Sequence, residues 1–293
     1  MTSNKEESKY LSLLKNILEE GEKRDDRTGT GVISTFGERL KFNLQDGKIP
    51  VLTTKRVYWK GVVEELLFFI KGITDNKYLQ DRNVHIWDGN TSREYLDKNN
   101  MSHLDEGTLG PMYGYNWKHF GADYIDSHTD YTGKGVDQLK NAIELIKTDP
   151  TSRRIVISAW DPTVLDKACL YPCHILFQFY VNVERGELSC QMYQRSVDCF
   201  LGLPFNITSY ALLTHIIADI CGLKPGHLTM VLGDTHIYSN HIEQCQKQLT
   251  RVPRCFPKLN IKNHHKTPEE YEFDDFELVG YEPYAGIKAP MAV

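Results

Sequence analysis

The chain has 293 residues, of which 41% are hydrophobic and 25% are charged. This is the composition of a globular protein rather than of a disordered or fibrous one. The formal net charge of -5 argues against a constitutive basic surface for nucleic acid, although a local cluster of arginines could still bind a small anion.

Helical periodicity predicts three helices in the first half of the chain. Residues 8–21 have apolar side chains on one face, residues 57–72 are apolar on most faces, and residues 136–147 form a further amphipathic segment. The second segment contains two glutamates within its apolar run, so it is expected to be a buried helix with an unusual polar content.

The second half of the chain has patterns typical of strands. Extended runs at 153–160, 174–183 and 188–197 predict strands, and the last two flank a short ERGE turn that is typical of a hairpin. An apolar helix at 207–221 and a strand pattern at 228–239 follow. These elements predict a mixed α/β (α+β) fold with a large mixed β-sheet covered by helices.

Nothing in the sequence divides the chain into parts. It contains no internal repeat, low-complexity tract or flexible linker, so we predict one domain over residues 1–293, of which residues 1–9 could be flexible. No secretory signal pattern opens the chain, and its apolar stretches are too short to span a membrane. The seven cysteines lack disulfide-scaffold spacing, which favours reduced thiols and a cytoplasmic protein.

The stretch LYPCH places Cys173 between a proline and a histidine. From this stretch alone, Cys173 could be a nucleophile, a metal ligand or a buried core residue, and free cysteines are most often buried. Glu65 lies inside the apolar second helix, where an unpaired carboxylate is costly and has a raised pKa. Glu65 is therefore a candidate proton shuttle. Asn206 opens a predicted helix, either as its N-cap or as an amide that reads the edge of a heterocycle.

Several arginines could hold an anion. Arg27 lies in DDRTGTG, which lacks the Gly-Lys-Ser/Thr ending of a phosphate loop and more closely fits a turn. Arg195 and Ser196 come at the end of a predicted strand, where hydrogen-bond donors can converge. Arg153 and Arg154 begin another strand and point to opposite faces, so one or both could reach a different subunit.

The stretch GDTHIYSNH contains two histidines, His236 and His241, with a tyrosine between them. Their spacing of five does not match the i, i+4 step of a zinc helix, and no cysteine pair is nearby. Hydrogen bonding of His236 and Tyr238 to a hydroxylated ligand is the interpretation that fits this stretch better than a metal site.

A set of motifs occurs in one order along the chain: DRTGTG, TTKR, EELL, IWD, LGPMYG, SRR, PCH, QRSVD, GLPFN, SYALL, GDTHIYSNH, PKL and IKAPMAV. With these motifs the sequence closely resembles thymidylate synthase from about residue 10 to Val293, and GADYIDSHTDYTGKGVDQL looks like the eukaryotic form. The resemblance implies a methyltransferase of nucleotide biosynthesis that converts deoxyuridine monophosphate (dUMP) to thymidine monophosphate (dTMP). It also implies a homodimer with the sheet as its interface.

The resemblance assigns catalytic roles. Cys173 would attack carbon 6 of uracil as a thiolate favoured by Arg195, and Tyr113 would assist proton removal at carbon 5. Glu65, with His174 nearby, would move protons. Asn206 would read the uracil edge. Metal and tightly bound cofactors are not expected, because methylenetetrahydrofolate is consumed as a cosubstrate that donates a carbon and a hydride.

The resemblance also assigns binding roles. The residues expected to bind dUMP are Arg27, Arg195, Ser196, Asp198, Asn206, His236 and Tyr238, with Arg153 and Arg154 contributed by the other subunit of the homodimer. Those expected to bind the folate are Lys55, Ile86, Trp87, Leu170, Asp198, Leu201, Gly202, Phe205 and Val293. Departures from the usual pattern at Phe68, Asn116, Tyr171 and Thr208 remove no group that the mechanism needs.

Two other functions stay open. A deoxyuridylate hydroxymethylase on the same scaffold would let water instead of hydride capture the methylene group, and Asn206 cannot exclude it. Asn206 does favour uracil over cytosine, because relatives that act on cytosine carry Asp there. An inactive nucleotide- or RNA-binding protein is the second alternative. The intact Cys173, Glu65 and Asn206 argue against it, and the acidic net charge gives no support to a dedicated nucleic-acid surface.

Overall fold

The computed structural model describes residues 4–291, and within them the chain forms nine α-helices and eight strands. The helices are α1 (Lys5–Glu20), α2 (Trp59–Ile70), α3 (Lys77–Gln80), α4 (Asp88–Thr91), α5 (Arg93–Lys98), α6 (Gly114–His119), α7 (Gln138–Thr148), α8 (Gly202–Ile220) and α9 (Ile242–Leu249). The strands are β1 (Glu22–Arg24), β2 (Val32–Asn43), β3 (Val156–Ser158), β4 (His174–Asn182), β5 (Glu187–Asp198), β6 (Lys224–Tyr238), β7 (Lys258–Ile261) and β8 (Phe276–Val279).

A six-stranded mixed sheet in the order β1-β2-β6-β5-β4-β3 forms the centre of the molecule. Strands β5 and β6 pair in parallel, and every other neighbouring pair in this sheet is antiparallel. Strands β7 and β8 form a separate small antiparallel sheet. The predicted single-domain mixed α/β fold is confirmed.

Helix α8 joins the two parallel strands and is apolar on nearly all sides because it is enclosed. It packs against β5 and β6 on one side and against α2 on another. Residues such as Leu212, Leu213 and Ile216 are fully buried. A helix that is apolar all round is the expected solution for such a position. Although α8 is the longest apolar helix, neither it nor any other helix in residues 4–291 combines the length and apolarity needed to cross a membrane.

Strand β4 shows how the sheet separates a covered face from an exposed one. Phe177, Phe179 and Val181 are buried toward the helices, whereas the alternating Leu176 and Tyr180 are exposed, Tyr180 by 66%. This alternation is the period of two that a strand with one buried face should have. The exposed face of β4 therefore presents large apolar side chains.

Strand β2 was not predicted from the sequence. Its register with β6 is continuous from Val32–Tyr238 to Asn43–His227. The middle of the strand, residues 34–39, is mostly polar and contains the exposed Phe36 and Gly37, so apolar residues alternate with polar ones only near its end, at Leu40 and Phe42. The long second strand is consequently invisible in the pattern of apolar residues.

Helix α1 begins at Lys5, so residues 5–9, which could have been flexible, are helical, and residues 1–3 lie outside the described part of the chain. Glu7 of this helix is fully buried, and its carboxylate accepts hydrogen bonds from the backbone amides and hydroxyls of Thr53 and Thr54 at 2.7–2.8 Å. A buried carboxylate is stable only when its acceptors are filled in this way. Glu7 therefore fixes the start of the TTKR segment.

Candidate active site

Four chain segments meet at one end of the strands of the large sheet because of how these strands are paired. The carboxyl ends of the parallel strands β5 and β6 lie together, with Asp198 opposite His236. The antiparallel neighbours begin at the same edge, so His174 at the start of β4 lies opposite Gln194, and Ser34 of β2 lies opposite His236. Ligand sites in open α/β sheets are typically found beyond the carboxyl ends of such strands.

Cys173 lies just before β4, and two side chains hold the backbone of residues 171–173. Its amide donates to the Tyr113 hydroxyl at 2.8 Å, while Arg195 donates to the carbonyls of Pro172 at 2.8 Å and Tyr171 at 3.0 Å. Burial raises the pKa of the Cys173 thiol, although the charges of Arg195 and Arg27 and the Tyr113 hydroxyl act to lower it. Arg195 thus acts in the expected direction, but burial outweighs it.

Tyr113 and His174 form a stacked pair behind the cysteine. Their ring centres are 4.0 Å apart with planes 14° from parallel. Tyr113 has φ of 40°, a conformation that strains a residue other than glycine and that persists only where the surroundings enforce it. Burial raises the pKa of Tyr113 well above the usual range and lowers the pKa of His174 to about 3, so both rings are neutral. Nδ1 of His174 lies 2.7 Å from the Tyr210 hydroxyl.

Glu65 of α2 is the carboxyl group of this cluster and is only 7% exposed. Burial raises its pKa to about 7, against a hydrogen bond of 2.7 Å from Trp87 Nε1 that lowers it. The Trp87 ring in turn lies edge-on to Tyr113, with 6.3 Å between the ring centres. A carboxyl group with this pKa can both give and take a proton near neutral pH.

Asn206 lies within α8 and not at its start, since the helix begins at Gly202 with Leu201 as the N-cap residue. The N-cap interpretation of Asn206 is therefore wrong. Its Oδ1 accepts a hydrogen bond of 3.0 Å from Nε2 of Gln194, a side chain that points inward from β5 and is 2% exposed. Gln194 also donates to the Ser196 carbonyl at 3.2 Å, so it fixes the Asn206 amide relative to the strand.

Gln194 was missed by the sequence analysis. The motif QRSVD contains it, and a polar residue at an inward-facing position of a strand was the signal that could have identified it. Gly202 lies beside the same group, because a Cβ there would be 3.7 Å from Cβ of Asp198 and 4.0 Å from Oδ1 of Asn206. The structure thus brings Gln194, Asp198, Gly202 and Asn206 together.

His236 and Tyr238 extend the site along β6. Nδ1 of His236 lies 2.9 Å from Asp234, and its ring lies edge-on to Tyr238, with the two ring centres 5.1 Å apart. Burial, followed by the charges of Asp198 and Asp26, raises the pKa of Tyr238 to about 12, so its hydroxyl is a neutral donor. Arg27, exposed in the turn before β2, exerts its charge on both Tyr238 and Cys173. The charge of this predicted anion-binding residue therefore acts on the cysteine thiol.

An apolar surface borders the polar groups. Ile86, Leu170, Leu201 and Phe205 are partly buried, pack against the hydrophobic core and keep some exposed surface. Trp87 belongs to the same region and is 8% exposed. Burial acts to raise the pKa of the neighbouring Asp198, but His241 and the amides of Phe200 and Leu201 outweigh it, so the pKa is lowered. The surface therefore combines apolar walls with one ionised carboxylate.

Lys55 does not reach this surface in the structure. It is 5% exposed, and its ammonium donates to the carbonyl of Phe200 and lies 3.5 Å from the centre of the Phe200 ring. Burial lowers its pKa to about 8, against the charge of Asp198, which raises it. Val293, the other predicted contact at the chain end, lies outside the described residues.

Arg153 and Arg154 are also apart from the cysteine. Both are exposed just before β3, an edge strand separated from β5 by β4. Neither guanidinium forms a hydrogen bond or ion pair with any residue in the range 4–291. The two charges are therefore free to meet a group that the chain itself does not supply.

The histidines of GDTHIYSNH have partners other than a metal ion. His236 bonds to Asp234, and His241 lies 2.7 Å from the Pro290 carbonyl oxygen. Over the described part of the chain, no three His, Cys, Asp or Glu side chains are placed so that they could share a metal ion. All seven cysteines are free thiols.

Comparison with known proteins agrees with this geometry. The family model for thymidylate synthase matches residues 8–293. The bifunctional dihydrofolate reductase-thymidylate synthase of Zea mays is 54% identical over 288 residues, which are 98% of this chain and 55% of that protein. The bifunctional protein of the same name from Leishmania major is 51% identical, over 99% of this chain and 56% of its own length. The chain thus spans about half the length of these bifunctional relatives.

A further relative has the same extent as this chain. The thymidylate synthase of equine herpesvirus 2 is 52% identical over 287 residues, which cover 98% of both proteins. The family match over nearly the whole chain agrees with a site that contains a held cysteine, an arginine beside it and a carboxyl group of raised pKa. The chain belongs to the thymidylate synthase family.

Proposed function

We propose that the protein is a methyltransferase that converts dUMP to dTMP, with methylenetetrahydrofolate as donor of the carbon and the hydride and dihydrofolate as the second product. One observation carries this proposal. The partly exposed Cys173 lies beside Arg195, the charge of Arg27 reaches its thiol, and Tyr113 links it to Trp87 and Glu65. This combination suits attack on an anionic nucleotide with control of protons around the base.

In the proposed reaction, Cys173 loses its proton and its sulfur adds to carbon 6 of uracil. The π electrons of the carbon 5–carbon 6 double bond shift into an enolate, which makes carbon 5 nucleophilic. Carbon 5 then bonds to the methylene carbon of the folate. Removal of the proton on carbon 5 and departure of the folate nitrogen leave an exocyclic methylene group. Hydride from the folate reduces it, and the carbon–sulfur bond breaks, which returns Cys173. The raised pKa of Cys173 means that the resting group is a thiol.

The surrounding groups have protonation states that suit the steps assigned to them. Glu65, with a pKa of about 7, would give and take protons at the uracil carbonyl and the folate nitrogen. His174 and Tyr113 are neutral and can serve as oriented hydrogen-bond donors, with Tyr113 assisting the removal of the carbon 5 proton. Of these three residues, only Glu65 has to carry a charge for the steps assigned to it.

Nucleotide and folate would occupy adjoining parts of the site. Arg27, Arg195 and Ser196 would bind the phosphate, and His236 with Tyr238 would bind the sugar hydroxyl. The apolar surface of Ile86, Leu170, Trp87, Leu201 and Phe205 would receive the folate ring, and Asp198 would accept from its nitrogens. Lys55 would have to turn outward from Phe200 to meet the glutamate portion of the folate, and Val293 would close over it.

The protein is also proposed to act as a homodimer. The exposed face of the large sheet carries Val156 on β3 and Leu176 and Tyr180 on β4, which lie near one another across the paired strands. Apolar side chains grouped on a sheet face are typical of a subunit interface. Arg153 and Arg154, which have no partner within residues 4–291, would complete the phosphate site of the other subunit. The seven free thiols support the cytoplasm as the location.

Replacement of the nucleophile tests the proposal directly. We expect Cys173→Ser to lower turnover at least about a thousandfold, because a serine hydroxyl without a strong base is a far weaker nucleophile. With 5-fluoro-dUMP and methylenetetrahydrofolate, intact-protein mass spectrometry should show a covalent complex for the wild type, since fluorine cannot leave carbon 5 as the proton does. Peptide mapping should place it on Cys173.

The matched control is Cys255→Ser, which changes an exposed cysteine that has no part in the site. This variant should form the same complex as the wild type and retain its turnover. A complex that persists in Cys173→Ser, or that maps to another residue, would contradict the covalent role of Cys173.

The base preference depends on the amide of Asn206. Uracil offers a carbonyl acceptor and an N–H donor where cytosine offers an amino donor and a nitrogen acceptor, so Asn206→Asp removes the donor that uracil needs. We expect the ratio of kcat/KM for dCMP over dUMP to rise about a hundredfold. Steady-state kinetics with both nucleotides would measure it, and an unchanged ratio would show that Asn206 does not read the base.

The intersubunit role of the arginines can be tested by mixing two inactive variants. Arg153→Ala/Arg154→Ala should lose most activity as a homodimer, and Cys173→Ser should lose it for a different reason. After subunit exchange, heterodimers contain one site with both the cysteine and the partner's arginines. Random reassortment should therefore restore about one quarter of the wild-type activity. No recovery, with heterodimers present by native mass spectrometry, would show that the arginines do not act across the interface.

A further inference from the structure

His241 is a fully buried histidine between the candidate active site and the carboxyl-terminal segment. Its Nε2 lies 2.7 Å from the carbonyl oxygen of Pro290. Its Nδ1 lies 3.7 Å from Oδ1 of Asp198, which is too long for a hydrogen bond but within reach of an ion pair. The ring thus stands between two groups that only accept hydrogen bonds.

This arrangement favours the doubly protonated ring. A neutral imidazole has one N–H, and if Nε2 donates it to Pro290, the lone pair of Nδ1 faces the Asp198 carboxylate. The imidazolium places an N–H and a positive charge there instead. Within residues 4–291, Nδ1 has no hydrogen-bond partner, so Asp198 is the group with which it can interact.

The titratable groups around the ring are Asp198, Lys55 and Tyr238. Burial acts to lower the pKa of His241, and so does the charge of Lys55, but Asp198 and the Pro290 carbonyl outweigh them, so the pKa is raised. The Tyr238 ring lies edge-on to His241, with 5.6 Å between the ring centres, and its raised pKa keeps it neutral. Phe200 packs against His241 from the remaining side.

The last part of the described chain depends on this histidine. Residues 281–285 are held by several bonds, among them Tyr284 N to the Thr53 carbonyl at 2.7 Å and Arg251 to the Ala285 carbonyl at 2.8 Å. For residues 286–291, the bond from His241 to Pro290 is the sole hydrogen bond to any described residue. Loss of this bond would leave that stretch held by packing alone.

We propose that His241, as an imidazolium, is a positioning residue that links the carboxyl-terminal segment at Pro290 to Asp198 and so couples docking of that segment to the folate side of the site. The coupling rests on the proposed function, because the folate-binding role of Asp198 is part of that proposal. Docking of the carboxyl-terminal segment through His241 does not depend on what Asp198 binds.

The proposal predicts a pH dependence of docking. The Pro290 carbonyl acts to raise the pKa of His241, so docking favours the imidazolium, and the extra stability of the docked form is fully present below the pKa that His241 has in the undocked chain. It is lost as the pH rises through the raised pKa of the docked form. The apparent KM for the folate should rise over the same pH range.

Limited proteolysis of the full-length protein without substrates tests docking independently of turnover. Trypsin cleaves after Lys288, an exposed residue of this segment, and cleavage is faster when the segment is released. We expect His241→Gln to increase the rate of this cleavage several-fold at pH 6, because glutamine can donate to Pro290 but carries no charge for Asp198. The matched control is His264→Gln, an exposed histidine that bonds to Asp219. The control should leave the rate of cleavage after Lys288 unchanged.

Titration of the wild type by NMR with ¹³C-labelled histidine supplies the second measurement and needs no variant to fold well. The signal absent from His241→Gln should titrate with a raised pKa, and the rate of cleavage after Lys288, corrected for the pH dependence of trypsin itself, should rise as this signal loses its proton. A His241 that stays neutral at pH 6, or a cleavage rate equal in wild type and His241→Gln, would overturn the proposal. Neither result would affect the product test of the proposed function, so the two failures can be told apart.

Discussion

The parallel pairing of β5 and β6 is the constraint on which the site depends. Parallel neighbours need a crossover, and α8 supplies it while it covers both strands. The pairing puts the carboxyl ends of β5 and β6 side by side, and the antiparallel strands β4 and β2 must then begin at the same edge. Cys173, Asn206 and His236, which are distant in sequence, become neighbours through this one topological choice.

Burial then decides the protonation state of the groups gathered there. It raises the pKa of Glu65 to about 7 and lowers the pKa of His174 to about 3, since a charged form loses its hydration in the interior. The same cause keeps Cys173 a thiol and lowers the pKa of Lys55 to about 8. The resting site is therefore mostly uncharged near the base, with its positive charge at the arginines where a phosphate would bind.

The sequence identified the residues that would react better than the residues that hold them in place. Cys173 and Glu65 stood out because a cysteine in an ordered set of motifs and a carboxylate in an apolar helix are local features. Gln194, Glu7 and the Pro290 contact of His241 depend on pairs more than ten residues apart, which periodicity cannot report. Strand β2 was missed because its middle, residues 34–39, is mostly polar and contains Gly37, and the start of α8 was placed too late, which made Asn206 resemble an N-cap.

The identity of both products is the most direct test of the central claim that this site performs reductive methylation. Purified protein with dUMP and methylenetetrahydrofolate would be analysed by chromatography with mass detection. We expect dTMP and dihydrofolate in equal amounts, because hydride transfer from the folate yields that pair. Hydroxymethyl-dUMP with tetrahydrofolate would contradict it, since water and not hydride would then have captured the methylene group.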